Sequence, residues 1–322
     1  GSFRIGSKEV GDGEPVFMIA EAGSNHNRDL RQAKRLIDVA IAAGADAVKF
    51  QTYTSEGLYS KKTPKPQYLK KLTKKDETVW DLIKKIELPK EFQGELADYC
   101  RESGITFLST PFEERAVDEL EAVGVKAYKI ASFEIVHLPL IRYAAGKGKP
   151  MIISTGMADL GDIEDAIETV YSTGNREVAL LHCDIGYPPP MKDVNLRAIL
   201  TLQRAFHVPV GFSDHTMSTS IPAAAVALGA CIIEKHFTTD RTMKGPDHPF
   251  ALEPDELKQM VRNIRDLEDA LGSPIKRRTE SEEEMYRIGR RSIVAARDIR
   301  TGERIKKDML AIKRPGYGIP PK

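Results

Sequence analysis

VPVGFSDHTMSTSIPAAAVALGACIIEKHF, residues 208–237, holds the reading on which the fold turns. It opens and closes on short runs, VPVGFSDH (208–215) and CIIEKHF (231–237), each apolar in its first half and polar in its second. Between them STSIPAAAVALGA (218–230) reads as a helix. Two short strands joined by a helix predict a βαβ unit whose parallel strands are covered on both faces. The same alternation repeats upstream. VFMIAEAG (16–23), DAVKFQT (46–52), TFLSTPF (106–112), AYKIAS (127–132), PMIISTG (150–156) and VALLHC (178–183) bring the runs to eight. DLRQAKRLIDVAIAAGA is the clearest of the intervening helices, with Leu30, Ala33, Leu36, Ile37, Ala40 and Ile41 on one stripe and a stop at Gly44. Eight strands with helical connections predict an α/β fold, a (β/α)8 TIM barrel over residues 3–272. An open doubly wound sheet is the alternative, but no GxGxxG follows the first strand.

The chain has 322 residues, and its 48 Lys and Arg against 47 Asp and Glu leave a net charge of +1. No global field would draw it onto nucleic acid or an anionic membrane, so an anionic partner needs local positive charge. With 41% hydrophobic and 30% charged residues the composition is that of a globular protein with a large core. Cys100, Cys183 and Cys231 have no paired spacing, which points to a reducing, cytoplasmic setting. No apolar run reaches the ~18 residues of a membrane span. The basic run KKTPKPQYLKKLTKK (61–75) is balanced by Asp76, Glu77, Asp81 and Glu87, and reads as a solvated helix in a long second βα loop, a candidate lid. The stripe of Trp80, Leu82, Ile83 and Ile86 beside it predicts packing rather than substrate contact. After Gly272, SPIKRRTESEEEMYRIG (273–289) reads as a charged linker, and residues 290–322 as short strands with a turn at Thr301-Gly302.

The polar second halves of the strands converge on one face of a barrel, where active sites of this fold sit. Side chains alternate along a strand, so Lys49 shares a side with Gln51, Ser213 with His215, and Glu234 with His236. His215 and His236 then stand at neighbouring strand ends near Glu21 of the first strand, which closes against the eighth. Two imidazoles with a carboxylate nearby suit a divalent first-row cation acting as a Lewis acid. Either histidine alone reads as a hydrogen-bonded core residue; the pair favours the metal. Lys49 and Lys129 lie among apolar neighbours, where an unpaired ammonium is costly. With Thr110, Ser132, Ser154 and Ser213 they form a cradle for a phosphate or carboxylate. The structural alternative pairs Lys129 with Glu134 or Glu21. Lys235 alternates away from His236, toward the barrel wall. Asn25 and His26 of SNHN follow Glu21 within reach of the site, but a turn explains them as well, and His137, His207 and His248 read as surface or packing residues.

At these positions the sequence resembles the sialic acid synthase family, the bacterial nonulosonic acid synthases. The matching strings are IAEAGSNHN (19–27), AVKFQT (47–52), FLSTPF (107–112), YKIAS (128–132), IISTGM (152–157), GFSDHT (211–216), EKHFT (234–238), KGPDH (244–248), RRSIVA (290–295) and KRPGYGI (313–319). The resemblance implies condensation of phosphoenolpyruvate with an acylamino-mannose-type sugar and water, giving a nine-carbon 2-keto acid and phosphate by C–O cleavage. It implies a divalent metal, Mn2+ or alternatively Mg2+ or Co2+, on His215 and His236. Lys49, Thr110, Lys129, Ser132, Ser154 and Ser213 match phosphoenolpyruvate-binding positions. Gln51, Tyr187 and Asp247 match sugar-side positions, and Glu21 a carboxylate next to the metal. Residues 290–322 resemble about half of an antifreeze-like (SAF) domain. In the family this domain reaches across a domain-swapped homodimer, with an arginine at the position of Arg314 on the partner's substrate. Ile185 and Lys74 depart from the pattern: Ile185 removes a polar contact or shifts it to Asp184, and Lys74 replaces a sugar-contacting asparagine. A Schiff-base aldolase using Lys49, Lys129 or Lys235, and a non-catalytic carbohydrate- or ice-binding protein, are the rival readings.

Overall fold

A computed structural model describes residues 1–65, 70 and 77–322. Two compact units divide the chain, Gly1–Leu271 and Gly272–Lys322.

In the first unit, strands β3 (Phe17–Glu21), β4 (Ala47–Thr52), β5 (Thr106–Pro111), β6 (Tyr128–Ile130), β7 (Met151–Ser154), β8 (Val178–Cys183), β9 (Val210–Asp214) and β10 (Ile232–His236) form one parallel sheet. The hydrogen-bonded order is β5-β4-β3-β10-β9-β8-β7-β6, and β5 lies alongside β6, so the first and last strands of the series are neighbours in a TIM-like barrel. Helices follow the strands as the apolar stripes require. Asp29 caps the helix Leu30–Ala43 by accepting from the N–H groups of Arg31 and Gln32, and Gly44 ends it in the left-handed region at φ 85°.

The strand side chains separate into two sets. Met18, Ala20, Val48, Phe50, Ile153, Leu180, Phe212 and Ile233 point outward and pack with helix residues such as Leu36, Ile37, Leu96, Ile167 and Ile264. Phe17, Ile19, Ala47, Leu108, Ile152, Ala179, Leu181 and Ile232 fill the interior. Further along the same strands the interior register turns polar: Glu21 follows Ile19, Lys49 follows Ala47, Thr110 follows Leu108, Ser154 follows Ile152, and Glu234 follows Ile232. One period-2 pattern therefore builds both the core and the floor of a site above it. Gly211 belongs to this layer, because a Cβ there would come 2.4 Å from the Ile232 carbonyl.

An element absent from the sequence-based expectation lies ahead of the barrel. Strands β1 (Ser2–Ile5) and β2 (Lys8–Gly11) form an antiparallel hairpin, and its Phe3, Ile5 and Val10 join the interior cluster at the apolar end of the barrel. Four-residue strands carry too little periodicity to stand out in a sequence.

Lys235 points outward from β10, as alternation predicts. It forms a 2.6 Å ion pair with Asp214 of the adjacent strand and also donates to the Thr216 carbonyl. With both partners buried and hydrogen-bonded, the pair fastens β9 to β10 and leaves no free amine for a Schiff base.

The second unit contains the helix Glu283–Gly289 and the antiparallel strands β11 (Ser292–Ala295) and β12 (Leu310–Lys313). The segment expected as a linker thus carries a helix, preceded by a 3-10 turn, Glu280–Glu282, that a Thr279–Glu282 capping box begins. Among the described residues, no helix is long and apolar enough to cross a membrane.

Candidate active site

Twelve of the thirteen residues singled out in the sequence line one cavity at the polar end of the barrel: Glu21, Lys49, Gln51, Thr110, Lys129, Ser132, Ser154, Tyr187, Ser213, His215, His236 and Asp247. Arg314 lies in the second compact unit. Lys74 and most of the basic run around it lie outside the described residues.

The lysines form a single network. Lys49 Nζ stands 2.7 Å from Glu21 Oε2 and donates to Thr110 Oγ1 at 2.7 Å. Lys129 Nζ donates to Ser154 Oγ at 2.7 Å and to the Ile130 carbonyl. Glu234 lies between them, with Oε2 3.8 Å from Lys49 and Oε1 3.6 Å from Lys129, and accepts from Ser213 Oγ at 2.8 Å. The expected alternative partners of Lys129 were Glu134 and Glu21; the structure supplies Glu234 instead. Burial would raise the Glu234 carboxyl, but the Lys129 and Lys49 ammonium groups outweigh it and hold it at about 2. Burial raises Glu21 to about 7 against the pull of Lys49, while Gln51 donates to its other oxygen at 2.9 Å. The Glu21 and Glu234 carboxyl groups thus face the two lysines of the cradle.

Glu234 was legible at the sequence level, since alternation places it beside His236, but it was not singled out. The apolar stripe of the second loop is a second difference. Leu82, Ile83 and Ile86, expected to serve packing, line the cavity together with Leu58, Phe112, Phe133 and Phe250. A helical stripe shows that a face is covered, not whether core or ligand covers it.

His215 and His236 face each other with ring centroids 5.4 Å apart, and Tyr187 lies 4.2 Å from the His215 ring. Burial lowers both imidazoles to about 3, helped at His215 by His236 and at His236 by Lys49, so both are neutral at pH 7. His215 Nδ1 is 2.6 Å from the Asp184 carbonyl; the oxygen accepts, so this nitrogen carries the proton and Nε2 the lone pair. His236 Nδ1 is buried without a hydrogen-bond partner among the described residues. Two neutral imidazoles, one fixed in its tautomer and one with an orphaned nitrogen, are the donor set that a divalent first-row cation takes. Among the described residues no group of three or more His, Cys, Asp or Glu is placed to hold an ion. Glu21 is committed to Lys49, so such an ion would have two protein ligands here, with the remaining positions open to water and substrate.

Ile185 does not line the cavity. Its Cγ2 fills the space that a Cβ on Gly156 would enter, 2.7 Å away, and the Asp184 carboxylate accepts from the Gly186 N–H.

Comparison with known proteins places these features in a family. The NeuB family profile matches residues 36–276, and the SAF domain profile matches residues 290–322. The chain is 45% identical over 306 residues to the N,N'-diacetyllegionaminic acid synthase of Campylobacter jejuni, covering 94% of this chain and 92% of the relative. Pseudaminic acid synthase of Helicobacter pylori is 35% identical over 309 residues, covering 96% and 91%. The crystal structure of spore coat polysaccharide biosynthesis protein SpsE of Bacillus subtilis superposes with a TM-score of 0.75 at 42% identity, covering 99% of this chain and 90% of that one.

Proposed function

We propose that this chain, which belongs to the NeuB family of phosphoenolpyruvate-condensing nonulosonic acid synthases, acts on an acylamino-mannose-type sugar through the residues of the barrel cavity. The observation that carries the reading is the presence, in one cavity, of a two-lysine anion cradle beside a pair of neutral imidazoles. The C3 of phosphoenolpyruvate bonds to the sugar aldehyde carbon, a water oxygen bonds to C2, and the C2–O bond to phosphate breaks.

Lys49, Thr110, Lys129, Ser132, Ser154 and Ser213 hold the phosphate and carboxylate of phosphoenolpyruvate. The incoming anion competes with Glu21 and Glu234 for these lysines, and separating those buried pairs offsets part of its attraction. His215 and His236 hold a divalent metal, for which Mn2+ is the first candidate ahead of Mg2+ and Co2+. A cation held by these two imidazoles would supply Lewis-acid polarisation of the aldehyde. Glu21 with a pKa of about 7 accepts or returns a proton at neutral pH, and Gln51 fixes its orientation. Gln51, Tyr187 and Asp247 bind the sugar.

The cavity walls favour one acceptor class. Their apolar part, Leu58, Leu82, Ile83, Ile86, Phe112, Phe133 and Phe250, suits methyl and acetamido groups. Among the described lining residues Lys49 and Lys129 are the cations, and both serve the cradle, which disfavours a phosphorylated acceptor. The greater identity to the diacetyllegionaminic synthase than to the pseudaminic one, 45% against 35%, points the same way. In a phosphate-release assay, 2,4-diacetamido-2,4,6-trideoxymannose should exceed N-acetylmannosamine in kcat/KM by roughly 10–200-fold. N-acetylmannosamine 6-phosphate should be poorer still, and a preference for it would overturn this choice.

The working assembly is a homodimer in which Arg314 of one copy serves the substrate of the other. Residues Gly272–Lys322 hold 14 Lys and Arg against 7 Asp and Glu, and the rest of the chain 34 against 40, so the small net charge conceals two units of opposite sign. Exposed Phe133, Met157 and Met191 on the first unit and Ile305, Tyr317 and Ile319 on the second add apolar surface suited to association. Sedimentation should show a dimer that weakens as salt is raised; a monomer at low salt would count against it.

A further inference from the structure

We infer that Ser24 is a positioning residue that fixes the Asp247 carboxylate for the amino sugar. The inference rests on the assignment of Asp247 to the sugar. Ser24 lies in the loop after β3 and Asp247 in the loop after β10, 223 residues later. Ser24 donates to Asp247 Oδ2 twice, from its backbone N–H at 3.0 Å and from its hydroxyl at 2.8 Å. Both bonds fall on one oxygen, and among the described residues Oδ1 accepts none.

The surrounding contacts keep the two loops together. Asn25 Nδ2 donates to the Phe237 carbonyl at 2.8 Å, and His248 Nε2 meets Asn27 Oδ1 at 3.0 Å. Ser24, Asn25 and His248 are buried, whereas Asp247 is half-buried and lines the cavity. Gly23 permits the approach. At φ +52° its absent Cβ would lie 2.7 Å from Asp247 Oδ2 and 3.4 Å from the His236 ring.

A carboxylate on a loop samples several rotamers unless its orientation is fixed, and a displacement of about 1 Å in a positioning group lowers rates by roughly 100-fold. Two charge-assisted bonds to Oδ2 hold the carboxylate plane and present Oδ1 to the cavity. The SNHN segment, which as a sequence reads as a turn, is thereby half of a clasp.

The test is steady-state kinetics of the complete chain. Ser24→Ala should raise the KM for the amino sugar about tenfold and leave the KM for phosphoenolpyruvate within about twofold, with the thermal midpoint little changed. Ser24→Thr, which keeps a hydroxyl, should recover most of the loss. Ser24→Ala should add nothing in an Asp247→Asn background, since it acts through that carboxylate. If Ser24→Ala does not fold, Ser24→Cys carries the same measurement at similar volume. An unchanged sugar KM in Ser24→Ala, with Asp247→Asn impaired, overturns the positioning role. An unchanged sugar KM in Asp247→Asn overturns the assignment of Asp247 and the inference with it.

Discussion

Lys129→Met is expected to lower kcat/KM for phosphoenolpyruvate by roughly 10²–10³-fold, the loss typical of removing one strong electrostatic contact from an active site. Lys129 is buried, bonds Ser154 and the Ile130 carbonyl, and stands 3.6 Å from Glu234. Its removal also leaves the Glu234 carboxylate with Lys49 at 3.8 Å as its remaining cation among the described residues. Breaking a buried pair in this way costs about 3–5 kcal/mol, so the thermal midpoint should fall as well. The double variant Lys129→Met with Glu234→Gln separates the two effects. It should regain much of the lost stability, because no unpaired charge stays buried, but none of the turnover. Recovery of turnover together with stability would mean that Lys129 serves the fold alone.

His215→Ala should lower turnover by about three orders of magnitude or more, because the several kcal/mol of carbonyl polarisation that the bound ion supplies are lost. Phosphoenolpyruvate affinity should change little, since the cradle is built on other strands. Titration calorimetry with Mn2+ should show clear binding to the wild-type chain and none to the variant. Mn2+ binding and turnover that both survive would remove His215 from the site. A Schiff-base mechanism would also leave turnover intact, although Lys235, one of its candidate amines, is tied to Asp214.

The floor of this site was readable because a strand has a period of two. Once Ile19, Ala47 and Ile232 are read as interior, Glu21, Lys49, Glu234 and His236 must follow them on the same side, and the structure places them so. Strand neighbours were readable for a similar reason, as the eighth strand of a barrel closes on the first and brings His236 level with Glu21. Pairings between side chains were less accessible. Alternation gives the side that Lys129 faces but not which of three carboxylates it meets. Loops were the least readable part. Nothing local in SNHN indicates that Ser24 meets Asp247, and nothing in the Leu82–Ile86 stripe tells cavity from core. The N-terminal hairpin escaped because its strands are short, and the helix Glu283–Gly289 because it is short and buries none of its residues.

The central claim is that one cavity joins a metal-activated aldehyde to phosphoenolpyruvate. It is tested most directly by following inorganic phosphate with phosphoenolpyruvate, the diacetamido sugar and the complete chain, before and after EDTA treatment. Phosphate should appear only when both substrates are present, cease on chelation and return when Mn2+ is restored. Undiminished release after complete removal of metal, or release from phosphoenolpyruvate without a sugar, would contradict it.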